Sequence, residues 1–219
     1  MTRARGAFVI AALAAGARAA FAQDAPPVIP GDPQATAQLA RIIDATRAQR
    51  LPVDPIVGKV QYALMLHAPS ARIIAAAQAV AGRLVIAREA LAPRDTPEDI
   101  VAGESALSLR VPKETVRDIR RFSKEPSVVI PLAVIGQLVE GGVSPDRASD
   151  IVKDLIKRGA SGRQLADLQT RVAEDVRYGT KAENALDLRM NGLRAVLAPG
   201  AASNAATVQS AAGPHKGKP

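Results

Sequence analysis

Five cations in the middle of this chain are spaced to fall on one helical face. Lys113, Arg117, Arg120, Arg121 and Lys124 sit at i, i+4, i+7, i+8 and i+11. At 3.6 residues per turn they share one side of a helix, and Val116 and Ile119 mark the side that packs. A stripe of this kind can grip phosphates, lipid head groups or the carboxylates of an acidic protein. Glu114, Asp118 and Glu125 are close enough in sequence to quiet the field, so a merely solvated face is the competing reading.

Few other residues have types and spacing that could do chemistry. The chain has no cysteine, which excludes thiolate metal sites and thiol catalysis. Of its two histidines, His67 precedes Pro69 in a turn and His215 lies near the C-terminus, so H-E-x-x-H zinc chemistry is excluded. Ser161 stands in Gly-Ala-Ser-Gly rather than G-x-S-x-G, and no serine precedes a lysine by three residues. Gly58-Lys59 lacks the upstream glycine of a phosphate-binding loop. No metal and no cofactor are expected.

Glu104-Ser105 carries one resemblance. A glutamate followed by serine on a helix of an exported basic protein resembles the lytic transglycosylases. That resemblance implies a Glu104 carboxyl acting as acid and then base on a glycosidic bond of the cell wall. The Gly-Leu-Met-Gln segment that follows in that family is absent here, and so are aromatics to line a glycan groove. Without it, Glu104 reads as a helix-surface residue.

The elements that would position these groups all read as helices. Ala35, Leu39, Ile42 and Ile43 recur at helical spacing after Asp32-Pro33, a capping residue and a first-turn proline. Thr46 interrupts that stripe, so the first helix is expected to bury only its first half. Ile73, Ala77, Val80 and Leu84 repeat the pattern, as do Ala148, Ile151, Val152, Leu155 and Ile156. Asp150, Lys153, Asp154, Lys157 and Arg158 make a mixed-sign face of the kind that supports a helix. Val128 to Val139 runs twelve residues without a charge and reads as a nearly wholly buried helix, a short buried strand being the alternative.

Helix starts are marked by Asp54-Pro55, Thr96-Pro97 and Ser144-Pro145, and by Ser161 with Gln164 as a capping box. Thr96 with Asp99 is a looser version of that box. Gly142, Gly159 and Gly179 sit where helices should stop. Ala63-Leu64-x-Leu66-x-x-Pro69 matches Ala106-Leu107-x-Leu109-x-x-Pro112, and Gly142-Val143-Ser144 and Gly159-Ala160-Ser161 continue the pattern. The copies are 43, 32 and 17 residues apart, a degenerate family of helix-turn-helix units rather than a strict array. The expected fold is therefore all-α, with about eight helices as successive hairpins in a bundle or short superhelical array.

The N-terminus suggests an address. Arg3 and Arg5 precede the apolar run Ala7 to Ala15, and Ala20-Phe21-Ala22 offers a small-x-small exit. Residues 1–22 read as a secretory signal peptide, 23–34 as a proline-rich extended leader, 35–197 as an all-helical domain and 198–219 as a flexible tail. The expected location is periplasmic or extracellular, with no transmembrane anchor. Removing Arg3, Arg5 and Arg18 brings the net charge of +8 nearer to +5, a mild preference for anionic partners.

The leading expectation is thus an exported, non-enzymatic helical binding or scaffold module of the bacterial envelope, working through the five-cation stripe. Its expected partner is another protein, with an anionic envelope polymer or a lipid head group as alternatives. Nucleic acid is not expected, because export removes the target. A glycan-cleaving enzyme using Glu104, and a self-assembling structural protein, are the readings from other classes.

Overall fold

The computed structural model describes residues 26–197, and among these every regular element is an α-helix. The order is α1 (Pro33–Ala48), α2 (Asp54–Met65), α3 (Ser70–Leu91), α4 (Pro97–Ser108), α5 (Lys113–Phe122), α6 (Val129–Glu140), α7 (Pro145–Lys157), α8 (Gly162–Arg177) and α9 (Ala182–Val196). The signal-peptide and tail assignments, 1–22 and 198–219, lie outside the described residues.

Packing alternates along the chain. Helices α1, α3, α5 and α7 form one row, each against the next, and α4, α6 and α8 form a second. Neighbours in sequence join the rows, as in α2 with α3, α3 with α4, α6 with α7 and α8 with α9. Contact between every second helix is how hairpins stack into a superhelical array, so the fold is an all-α, two-row array.

Six of the eight joints between the described helices share one construction. After α1, α2, α4, α6, α7 and α8 the chain passes through a left-handed residue: Arg50, His67, Arg110, Gly142, Gly159 and Gly179, with φ of 58°, 53°, 66°, 100°, 90° and 93°. The amide of the following residue then bonds back across the last turn, Leu51 to Thr46, Ala68 to Ala63, Val111 to Ala106, Val143 to Leu138, Ala160 to Leu155 and Thr180 to Asp175. These six bonds are Schellman caps, and they satisfy carbonyls that a helix end leaves unpaired. Leu51, Val111 and Val143 are buried, so the cap also turns an apolar side chain inward. Pro69, Pro112, Ser144 and Ser161 then occupy the N-cap of the next helix in extended conformation. The four matched copies share this cap conformation, and the joints at Arg50 and Gly179 add two more.

Helix α3 lies at the centre and packs on α1, α2, α4 and α5. Its 22 residues, with a mean hydropathy of 1.4 over 18 of them, meet the length and composition of a bilayer span. One side of it, Ile73, Ala77, Val80, Leu84 and Leu91, is buried in the core. Gly103 of α4 makes its closest approach possible, since a Cβ there would stand 3.0 Å from the Ala87 Cβ and 3.3 Å from Leu91 Cδ1.

Several local expectations are corrected. Thr46 does not end the buried face of α1, because its hydroxyl donates to the Ile42 carbonyl at 2.8 Å and the residue is buried. The leader is tied down at Ile29, which is buried and whose amide donates to Thr36 Oγ1. Helix α2 starts one residue early at Asp54, and neither it nor α7 has a side-chain cap bond. Val129–Glu140 is a helix, not a strand, with Leu132, Ile135 and Leu138 in the core but Ala133 and Gln137 outward.

Candidate functional site

Helix α5 presents four of the five expected cations to solvent. Lys113, Arg117 and Arg121 are exposed on the helix, and Lys124 is exposed just past its C-cap, Ser123. Arg120 is not part of that surface. It is buried, donating from Nη1 to the Pro126 carbonyl at 2.9 Å and from Nη2 to the Glu125 carbonyl at 2.6 Å. Asp99 stands 3.8 Å from Nη1. Burial, with Arg94 adding repulsion, lowers the Arg120 pKa from the ordinary arginine value, and Asp99 acts in the opposite sense. Arg120 is therefore a structural cation holding the loop between α5 and α6, and its assignment to the binding stripe is withdrawn.

Asp99 holds the same loop from the other side. One carboxylate oxygen accepts from Ser127 Oγ and from the Val128 amide, both at 2.8 Å. The box expected with Thr96 forms only in part: Thr96 Oγ1 accepts from the Asp99 amide at 3.1 Å, while the Asp99 side chain serves the loop. In contrast, Ser161 and Gln164 make the reciprocal box in full.

Of the three acids expected to quiet the stripe, Glu114 and Asp118 stay on α5 beside Arg117 and Arg121 without forming an ion pair among the described residues, and only Glu125 leaves it. Glu125 turns away to accept from the Gly162 amide at 2.8 Å, at the N-terminus of α8, where a carboxylate is favoured. Among the described residues no ion pair is formed by Lys113, Arg117, Arg121 or Lys124. The structure also adds a cation from the neighbouring helix of the row. Lys157 Nζ lies 4.5 Å from the centre of the Phe122 ring, and Arg121 Cζ 5.6 Å from it. One ring thus gathers charges from α5 and α7. Sequence spacing along α5 could not show this, because Lys157 is reached only through the packing of α7 on α5.

Glu104 faces the interior rather than solvent. It is buried, and its Oε1 accepts from Arg83 Nε at 2.9 Å and lies 2.8 Å from Nη2. The expectation of a helix-surface residue is corrected: Glu104 links α4 to α3, and the partner was hidden in the apolar pattern of α3. His67 is exposed in its turn, as its place before Pro69 implies. Among the described residues no group of three or more His, Asp or Glu side chains converges as metal ligands would.

The mixed-sign face of α7 has a second purpose. Lys153 pairs with Asp150 at 3.0 Å and Arg158 with Asp154 at 3.0 Å, but Arg194 of α9 also reaches Asp154 at 2.7 Å. Arg147 of α7 meets Glu183 at 2.6 Å and Asp187 on α9, and Arg189 of α9 meets Asp175 of α8 at 2.7 Å. Helix α9 is thus stapled by ions to both its neighbours.

Taken together, the described residues define a cysteine-free, all-helical array with four exposed cations on and just past α5 that form no ion pair. Comparison of the chain with the models of known protein families, with curated proteins and with solved structures finds no match.

Proposed function

We propose that this protein is an exported, non-enzymatic binding scaffold of the bacterial cell envelope, and that it holds an acidic protein partner on α5. The observation that carries the reading is the open cationic face of Lys113, Arg117, Arg121 and Lys124, joined at Phe122 by Lys157. Charges meant only for solubility are commonly interleaved with acids on the same surface. Here Glu125 is engaged elsewhere and neither Glu114 nor Asp118 is ion-paired to the stripe, so four cations against two acids leave a net positive field for a ligand. A row of stacked helices offers an extended surface rather than a closed pocket, which suits a macromolecule. Residues 1–22 support export by their basic start, apolar run and small-residue exit.

The test is crosslinking of mature protein in native envelope, with mass spectrometry of the products. A stoichiometric partner crosslinked through Lys113, Lys124 or Lys157 is expected. Reversing Arg117 and Arg121 to Glu should abolish capture and leave the helical circular dichroism unchanged. Retained capture by that variant would sink the assignment of the face. Crosslinks only to wall polymer or to a second copy would replace the partner.

A further inference from the structure

The second row of helices carries a surface of opposite character. Between α4 and α6 runs an open groove of about 570 Å³. Its floor is apolar, formed by Val101, Ala102, Leu109, Leu132, Ala133 and Gly136. A Cβ on Gly136 would come within 3.2 Å of Leu109 Cδ1, so glycine lets that leucine lie against α6 as part of the floor. Its rim carries three exposed carboxylates, Asp54, Glu98 and Glu140, and no lysine or arginine lines it. None of the three is in an ion pair among the described residues.

We infer that this groove is a docking site for an amphipathic basic helix of a partner protein, with its apolar stripe on the floor and lysines or arginines at the acidic rim. Charge complementarity selects the occupant, since a bare carboxylate rim around apolar surface repels acidic segments and rewards basic ones. Helix geometry follows from the walls. The groove lies between adjacent helices of one row, and small side chains there admit the ridge of another helix. The site is separate from the cations of α5, which belong to the other row, so the array would hold two partners of opposite charge. The inference stands whether or not the α5 face binds.

A fluorescent peptide of about five helical turns, built of leucine and lysine in amphipathic order, is the probe. Its anisotropy is followed on mature protein, 23–219, beside a counterpart with glutamate for lysine. Saturable binding of the basic peptide alone is expected. It should weaken at least about tenfold in the Glu98→Lys, Glu140→Lys variant. It should also be lost in Ala133→Trp, where an indole fills an exposed position of the groove floor. Arg117→Glu, Arg121→Glu should leave it unchanged, which separates this site from the α5 face. Circular dichroism verifies that each variant is folded. No binding by the parent protein, equal binding of both peptides, or binding indifferent to Glu98, Glu140 and Ala133 would overturn the proposal. Binding to 23–219 that vanishes in the full chain would place the chain's own first residues in the groove, and would overturn it as well.

Discussion

Arg120 and Asp99 approach to 3.8 Å inside the protein, and between them they organise the loop from Ser123 to Val128. The arginine takes the carbonyls of Glu125 and Pro126, and the aspartate takes Ser127 and the Val128 amide. This loop is one of two joints, with that after α3, where the regular left-handed cap is missing, since α5 ends without a left-handed residue. Two buried charges substitute for the backbone cap.

Arg120→Ala should therefore be the most damaging single change on α5. Removing one member of a buried ion pair costs about 3–5 kcal/mol, because the remaining charge loses its compensation. Arg117→Ala and Arg121→Ala, on the exposed side, should stay within about 0.5 kcal/mol of the parent. Arg120→Lys should not rescue, since an ammonium lacks the planar fork that reaches both carbonyls. Urea denaturation of the four variants checks this. A mild Arg120→Ala would mean that the pair and its loop contacts contribute little.

The place of Arg120 could have been suspected from its spacing. It lies four residues after Val116, on the edge that the buried and exposed faces of α5 share. Helical spacing gives the direction of a side chain but not what covers it, and the cover here is a loop brought in by Asp99 from 21 residues upstream. Glu104 was misplaced for the same reason: its partner Arg83 is a single charge in the apolar stretch of α3. Caps were legible because their chemistry is local. Asp32, Thr96 and Ser161 each accept a bond from an amide three residues on. Gly142, Gly159 and Gly179 were legible as stops, whereas Arg50, His67 and Arg110 occupy the same conformation with side chains that do not advertise it. The α4–α6 groove was out of reach, since its two walls are set by tertiary packing.

Those three left-handed residues are a reserve of stability. A side chain in this region costs about 1–2 kcal/mol, offset in part by the greater freedom of glycine in the unfolded chain. Arg50→Gly, His67→Gly and Arg110→Gly should each stabilise by about 0.5–1 kcal/mol. For a chain of this size that raises the melting temperature by about 1–4 °C per substitution. Gly142→Ala should move it in the other direction. Scanning calorimetry of the set decides the matter, and no gain in any of the three would show that their side chains make compensating contacts.

Acid should loosen the C-terminal helices before the rest. Burial alone would raise the pKa of Asp154, but bonds from Arg158 and Arg194 outweigh it and hold the carboxyl below its ordinary value. At Asp175 the hydrogen bond from Arg189 is the main cause, with the same direction. A carboxylate whose folded pKa is depressed binds fewer protons in the folded state than in the unfolded one. Its stabilisation is complete above the unfolded value, about 3.9, and is lost as pH falls through the lower folded value. The ties of Asp154 to Arg194 and of Asp175 to Arg189 both end on α9, so that helix should release first below about pH 4. Amide exchange followed by mass spectrometry at descending pH, with rates corrected for intrinsic chemistry, should show protection lost in 182–196 while α3 stays closed. In the Asp154→Asn, Asp175→Asn protein α9 should already be less protected at neutral pH, and its protection should then change little with acid. Uniform loss across α3 and α9, or an unchanged acid response in the double variant, would assign the acid sensitivity to other carboxylates.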